Sequence, residues 1–353
     1  PESEWAIELS QEPDGADWVE GPKVVDRLSY RRDRRGYIDE GYTHVFTVPA
    51  EAGTPKQISD GDWNHSAAEW MPDGASLIFS SLRVDEAEHE WRESEIYKAV
   101  LATGAIHQLT DRAGPDSGPV PSPDGQYIAY QGQDFNDDTY RENELYVMSA
   151  DGSNPRSLGG EMGRSLGNIT WASDGSGVYF NVSMHGTQNL WFAPLNGQPH
   201  EVTSGNHMLS MASIDKDGTA VGTLSSYHKP ADVVSFGTGT GDPIVQLTRV
   251  NDDILNDVTL GQVEEIWYKS VDNFDIQGWI IKPPNFDESK KYPLMLSIHG
   301  GPHGMYNVGF NFGWQEHAAN GYVILYTNPR GSAGYGSPFG NAIKNAYPDK
   351  DFD

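Results

Sequence analysis

The sequence predicts a mixed chain: an all-β propeller of four-stranded blades over residues 1–262, incomplete at its N-terminal end, followed by the opening of an α/β domain over 263–353. Two observations carry the prediction. An Asp-Gly turn between apolar runs returns at intervals of about 40–50 residues, and after about Val263 the pattern switches to longer apolar strands around a helical segment.

Pro1 to about Val25 lacks either pattern and reads as a piece joined to something upstream. The repeat begins with Trp70-Met-Pro-Asp-Gly74 running on to Phe79. It returns from Pro121 through Gly125 to Tyr130, from Trp171 through Gly175 to Phe180 and, fainter, from Ile214 through Gly218 to Val221. The glycines are 51, 50 and 43 residues apart. Asp-Gly between apolar runs is a hairpin signal because glycine, and aspartate less readily, adopts positive φ. Between the copies lies a second hairpin, closed by Leu-Thr or its like, at 44–59, 95–110, 144–158, 189–203 and 232–248. Two hairpins per period make a four-stranded unit, and radial repetition buries the faces of such units. Four units are clear and a fifth is partial. Propellers seated on catalytic domains commonly close with about six to eight, so the run is expected to lack its beginning.

In the second part, Glu264–Tyr268 and Ile276–Ile281 alternate as strands, and Pro283-Pro284 closes the second. Leu294–Ile298 and Tyr322–Tyr326 are nearly continuous apolar runs around a helical Phe312–Asn320, which predicts a βαβ crossover with parallel strands buried on both faces. The 91 residues from 263 to 353 fall short of the roughly 200 of a complete doubly wound domain, so this one is expected to stop partway.

Composition narrows the function. With 51 acidic against 24 basic side chains the formal charge is −27, which repels phosphate backbones and excludes nucleic acid as a natural partner. The absence of cysteine removes disulfides, thiol catalysis and cysteine-ligated zinc. No run of 18 apolar residues is present, so membrane insertion is not expected. The first residue is not Met and a targeting segment could have been removed, which leaves a cytoplasmic or periplasmic location open.

The chemistry concentrates at His299-Gly300-Gly301-Pro302-His303, directly after the apolar run ending at Ile298. A buried strand that runs into two glycines can turn sharply and leave main-chain N–H groups pointing into a cleft, where they hold an oxyanion. Two other patterns carry less. Gly163-Arg164-Ser165-Leu166-Gly167 matches a nucleophile motif by letter, but it follows a polar stretch and precedes a repeat rather than joining a strand to a helix. His89-Glu90-Trp91-Arg92-Glu93 has glutamate where a zinc helix needs its second histidine. The carboxylate-rich stretches 86–95 and 134–144 read as exposed connections. The sharper reading is that one carboxylate pairs with the free amino terminus of a peptide.

Taken together, the Asp-Gly repeats, His299-Gly-Gly-Pro302 and Thr327-Asn-Pro-Arg-Gly-Ser-Ala-Gly-Tyr-Gly336 resemble the prolyl oligopeptidase family, most closely its acylaminoacyl peptidases and bacterial dipeptidyl-peptidase-like members. The resemblance spans essentially the whole chain. It implies that the α/β part is the N-terminal portion of an α/β-hydrolase domain capped by the propeller, and that no cofactor is used. It implies a serine peptidase acting on short peptides through an acyl-enzyme, with Gly301, then Gly300 and His299, in the oxyanion loop. Arg330, Gly331 and Tyr335 would support that loop, Arg330 by orienting it or by pairing with a carboxylate across the domain interface. The family's serine, aspartate and histidine fall beyond the position matching Asp353. This chain alone is therefore expected to be inactive, with the remainder of the hydrolase domain and a peptide as its partners, and self-association is left open. The competing expectations are a non-catalytic binding propeller and a carboxylesterase using the same loop.

Overall fold

The computed structural model describes residues 13–16, 23–38, 41–90, 92–160, 162, 165–349 and 351–352, so the reading of Pro1 to about Val25 lies mostly outside the described residues. Two compact units are separable, Pro1–Gly41 and Tyr42–Asp353. In the first, β1 (Arg31–Arg32) and β2 (Gly36–Tyr37) form a short antiparallel pair, and Lys23 Nζ lies 4.8 Å from the centre of the Tyr37 ring.

The second unit is mostly β. β3 (Phe46–Thr47) pairs with β4 (Lys56–Gln57). β5 (His65–Trp70), β6 (Ser76–Ser81), β7 (Glu95–Val100) and β8 (Ala105–Gln108) form an antiparallel sheet in chain order. β9 (Asp116–Pro121), β10 (Tyr127–Gly132), β11 (Glu144–Ser149) and β12 (Arg156–Ser157) form another. Two further repeats follow: β13 (Ser165–Trp171) to β16 (His200–Glu201), with β14 (Gly177–Met184) and β15 (Thr187–Pro194) between, and then β17 (Met208–Ile214), β18 (Thr219–Ser226), β19 (Lys229–Gly237) and β20 (Val245–Gln246). Every hairpin read from the sequence is present. The last two repeats differ from expectation in being joined into one eight-stranded sheet by a parallel Gln188↔Met208 pairing, because Gln188 N–H donates to His207 O at 2.9 Å.

Local chemistry accounts for the repeats. Asp73, Asp124 and Asp174 accept from the N–H two residues ahead at 2.8, 3.0 and 2.9 Å, and the following Gly74, Gly125 and Gly175 take φ of +65°, +69° and +71°. The closing threonine of the second hairpin ties it shut. Thr110, Thr203 and Thr248 Oγ1 accept from Ile96, Leu190 and Val233 N–H at 2.9, 3.0 and 2.9 Å, and donate to the residue just before, Glu95, Asn189 or Asp232. The β9–β12 sheet breaks the rule. Gly159 stands at that position, leaving Glu144 without a threonine hydroxyl, and Glu144 Oε2 accepts from Tyr146 Oη at 3.3 Å.

A one-turn α1 (Asp252–Leu255) precedes the C-terminal sheet of β21 (Gln262–Lys269), β22 (Asp275–Lys282), β23 (Leu294–Ser297) and β24 (Val323–Asn328), ordered β21-β22-β24-β23. β23 and β24 are parallel, with α2 (Phe312–Ala319) between them in the chain, and the Asn311 side chain caps α2 by accepting from Trp314 N–H at 3.0 Å. The crossover is thus as expected, but burial on both faces is not. Among the described residues β23 is an edge of this sheet. Met295 packs on the core of Trp279, Ile281, Val308, Ala318, Ile324 and Tyr326, while Leu294, Leu296 and Ile298 are 62, 52 and 72 % exposed. Alternate residues face opposite sides of a strand, and nothing among the described residues covers theirs.

The β14–β15 turn at His185-Gly186 and the β18–β19 turn at Tyr227 seat the repeats on this sheet. Val308 N–H donates to Gly186 O at 2.9 Å, Gln277 Nε2 to His185 O at 3.1 Å, and Trp279 Nε1 to Tyr227 Oη at 2.7 Å. No helix among the described residues is long and apolar enough to cross a membrane.

Candidate active site

β23 leads through Ile298 into the turn from His299 to Gly304. Gly301 sits at φ +141°, and a Cβ there would lie 2.8 Å from Gly304 N and 3.0 Å from His303 N, so this turn requires glycine. Gly300 and Gly301 are exposed, and among the described residues no backbone carbonyl accepts their N–H groups. Such donors are available to an anionic atom. Among the described residues the strand feeding the turn is a half-exposed edge strand, whereas the sequence suggests a buried one.

A second loop, Pro329 to Gly336, is stitched to the first. Ser332 Oγ donates to Pro329 O at 2.6 Å, which leaves it to accept from His299 Nε2–H at 3.0 Å. His303 Nδ1 donates to Gly331 O at 2.7 Å, and Ala333 N–H to Gly304 O at 3.0 Å. Arg330 is buried and ion-pairs with Asp272 of the β21–β22 turn, a carboxylate of its own sheet. Tyr335 Oη donates to Gln277 Oε1 and accepts from Asn328 Nδ2 at 2.7 Å, and burial pushes its phenol well above the usual range. Asn328, fully buried, also brackets Tyr306, accepting from its N–H at 2.7 Å and donating to its carbonyl at 2.9 Å. Gly331, Gly334 and Gly336 all take positive φ before the single turn of α3 (Ser337–Gly340).

A cleft of about 530 Å³ opens beside this loop, between the 133–146 stretch, Gly159, Gly160, Met162 and Leu166, and residues 335–338. Among the described residues four carboxylates line it. Asp134 pairs with Arg112 at 3.0 Å, Asp138 with Lys344 at 2.8 Å, and Glu142 accepts from Tyr140 Oη at 2.9 Å and Ser337 Oγ at 3.2 Å. The fourth, Glu144, is the acid whose repeat lacks the threonine. The 134–144 stretch is therefore not merely a solvated connection, because it docks on the α/β segment.

The other motifs stay apart from this site. Gly163 and Arg164 lie outside the described residues, and Ser165 opens β13, paired with Ser183, rather than a strand-to-helix turn. His89 lies in a short turn, Trp91 lies outside the described residues, and no metal-holding cluster occurs among those described. Sequence reasoning missed Ser332 and Asn328, although both stand in the Thr327–Gly336 motif, and it missed Tyr140. An aromatic side chain inside an acidic loop was the available signal for the last.

The profile of the prolyl oligopeptidase family matches residues 308–353. A Bacillus subtilis protein named uncharacterized peptidase YuxL is 29 % identical over 94 % of this chain and 52 % of its own length. Dipeptidyl-peptidase 5 of Aspergillus fumigatus is 31 % identical over 91 % of this chain and 46 % of its own. The chain thus spans about half the length of the curated relatives it matches. Among solved structures, Pyrococcus horikoshii acylaminoacyl peptidase shares the fold with a TM-score of 0.76 at 22 % identity, over 97 % of this chain and 52 % of that one. The match at its C-terminal end and the peptidase relatives along nearly all of its length make this chain similar to members of the prolyl oligopeptidase family.

Proposed function

We propose that this chain is part of the propeller and the leading part of the hydrolase domain of a serine peptidase, divided near residue 262. In this reading the four-stranded sheets are blades, and they restrict access to the cleft so that short or flexible peptides enter. The serine, aspartate and histidine come from polypeptide outside these 353 residues. The serine attacks the scissile carbonyl while the histidine takes its proton, and water then hydrolyses the acyl-enzyme. The N–H of Gly301, assisted by Gly300, stabilises the tetrahedral oxyanion, which is worth about 3–4 kcal/mol per donor in such holes. His299, Arg330, Gly331 and Tyr335 hold the loop.

The observation that carries this reading is the glycine turn itself: exposed N–H groups at Gly300 and Gly301 on a loop fastened through His299 to Ser332 and through His303 to Gly331. The exposed Leu294, Leu296 and Ile298 support it too, since a continuing sheet and its helices would cover them. Within the cleft, Glu144 favours a substrate with a free amino terminus over an acylated one, because its carboxylate is not committed to the repeat's threonine.

Fluorophosphonate labelling of the full-length protein, with the adduct located by mass spectrometry, tests the reaction class. An adduct on one serine is expected, and its absence refutes the reading. Comparing dipeptidyl anilides with their N-acetyl forms tests the substrate class. The free-amine substrates should win, and Glu144→Gln should narrow the preference by raising KM.

A further inference from the structure

Tyr140 belongs to the β10–β11 connection, yet it is 5 % exposed because it is buried against the α/β segment. Asn341 holds it by the backbone, accepting from Tyr140 N–H at 3.1 Å and donating to Tyr140 O at 3.0 Å. Gly340 makes room for the ring: a Cβ there would lie 2.1 Å from Tyr140 Cδ1. The phenol Oη donates to Glu142 Oε1 at 2.9 Å and accepts from Gly334 N–H at 3.4 Å. The ring itself meets His303, with centroids 5.2 Å apart.

His303 is where this contact reaches the glycine turn. Its ring is held between Tyr140 and the Gly331 carbonyl, 2.7 Å from Nδ1, and its backbone N is what a Cβ at Gly301 would strike at 3.0 Å. A side chain that fixes the His303 ring therefore fixes the residue two positions after Gly301. Without Tyr140 the ring would lose the surface on one side and keep the Gly331 bond on the other.

We propose that Tyr140 is a positioning residue for the oxyanion donors, acting through His303 to set the direction of the Gly301 N–H, so that the β10–β11 connection contributes to transition-state binding without touching the reacting atoms. The assignment rests on the oxyanion role proposed above for Gly301.

The test uses the full-length protein, with kcat and KM for a peptide anilide measured on Tyr140→Ala, Tyr140→Phe, His303→Ala and the Tyr140→Ala/His303→Ala double variant, and thermal melting measured on each. Misplacing a group that acts in the transition state by about 1 Å costs up to about 100-fold in rate. Tyr140→Ala is therefore expected to lower kcat by roughly 10- to 100-fold with KM changed less than about threefold. Tyr140→Phe keeps the ring on His303 and should stay within about threefold of wild type. The double variant should be no slower than the slower single variant, because both changes remove one contact. Lys344→Ala, which breaks the ion pairs to Asp137 and Asp138 on the same connection but not the ring contact, should leave kcat within about twofold. Unchanged kcat in Tyr140→Ala, a loss confined to KM, or losses that multiply in the double variant would each overturn the proposal. If Tyr140→Ala does not fold, His303→Ala and Tyr140→Phe decide alone: a wild-type kcat in His303→Ala, or a loss in Tyr140→Phe as large as that in His303→Ala, overturns it. Fluorophosphonate labelling of the wild type separates the two failures. A wild type that labels while Tyr140→Ala keeps full kcat sinks only the positioning role, whereas a wild type that does not label sinks the serine-peptidase reading and this assignment with it.

Discussion

Replacing Glu95 by glutamine should stabilise the protein above neutral pH and do little below pH 5. Glu95 opens β7, where it is buried and accepts a hydrogen bond from Thr110. Burial raises its carboxyl from an ordinary 4.5 to about 7, against the pull of the Thr110 hydroxyl and with help from the nearby Asp116, Glu93 and Asp111 charges. In the unfolded chain the carboxyl titrates near 4.5, so between that value and about 7 the folded protein holds one proton more than the unfolded one. Stability from this group is therefore fully present below pH 4.5 and is lost as pH rises through about 7. At 1.36 kcal/mol for each tenfold change in proton affinity the ceiling is about 3 kcal/mol, and relaxation of the neighbouring carboxylates will bring it nearer 1–2 kcal/mol. Glutamine keeps an oxygen for Thr110 and carries no charge, so Glu95→Gln should remove the fall. The assay is urea unfolding of both proteins from pH 4.5 to 8.5. A stability difference that stays flat across that range would refute the burial argument, because only a titrating group makes the two curves diverge.

Other expectations follow from single contacts. Gly301→Ala meets both a positive φ and a backbone contact at 2.8 Å, so fluorophosphonate labelling of the full-length protein should slow at least about tenfold while its circular dichroism is unchanged. Thr203→Val leaves the Leu190 N–H and the Asn189 side chain without their hydroxyl partner, and should cost about 1–3 kcal/mol in unfolding free energy. Leu296→Glu tests what lies over β23: if further sheet and helices cover it in the full-length protein, the loss is about 2–4 kcal/mol, and a loss within about 0.5 kcal/mol would argue for an open edge. Trp279→Ala removes a fully buried ring stacked on Tyr326 with centroids 5.1 Å apart, and should cost about 3–5 kcal/mol by thermal or chemical unfolding.

How much of this was legible in the chain depends on the range of the interaction. The Asp-Gly turns are decided within three residues, by an aspartate that accepts from the second N–H ahead and a glycine free to take positive φ, and the hairpins followed directly. The alternating and continuous apolar runs likewise marked β21, β22 and β24, because side-chain period is a local property of a strand, and the stretch between β23 and β24 read as α2. The glycine loop at 299–304 was legible as a turn with spare backbone donors.

What the sequence could not determine needs partners far away in the chain. Composition marked Leu294–Ile298 as buried, but burial depends on what lies against a strand, and among the described residues β23 is an edge with nothing over Leu294, Leu296 and Ile298. The threonine that closes three of the five second hairpins stood in plain view, yet its meaning required the residue 13 to 16 positions earlier, and so did the meaning of its absence opposite Glu144. Tyr140 reaches Asn341 across 201 positions and Gly334 across 194, contacts with no local signature in an acidic loop. Local backbone chemistry thus set the elements and the turn that offers the N–H groups, while only the tertiary structure decided which side chains hold that turn in place, because packing and charge pairing are properties of neighbours in space.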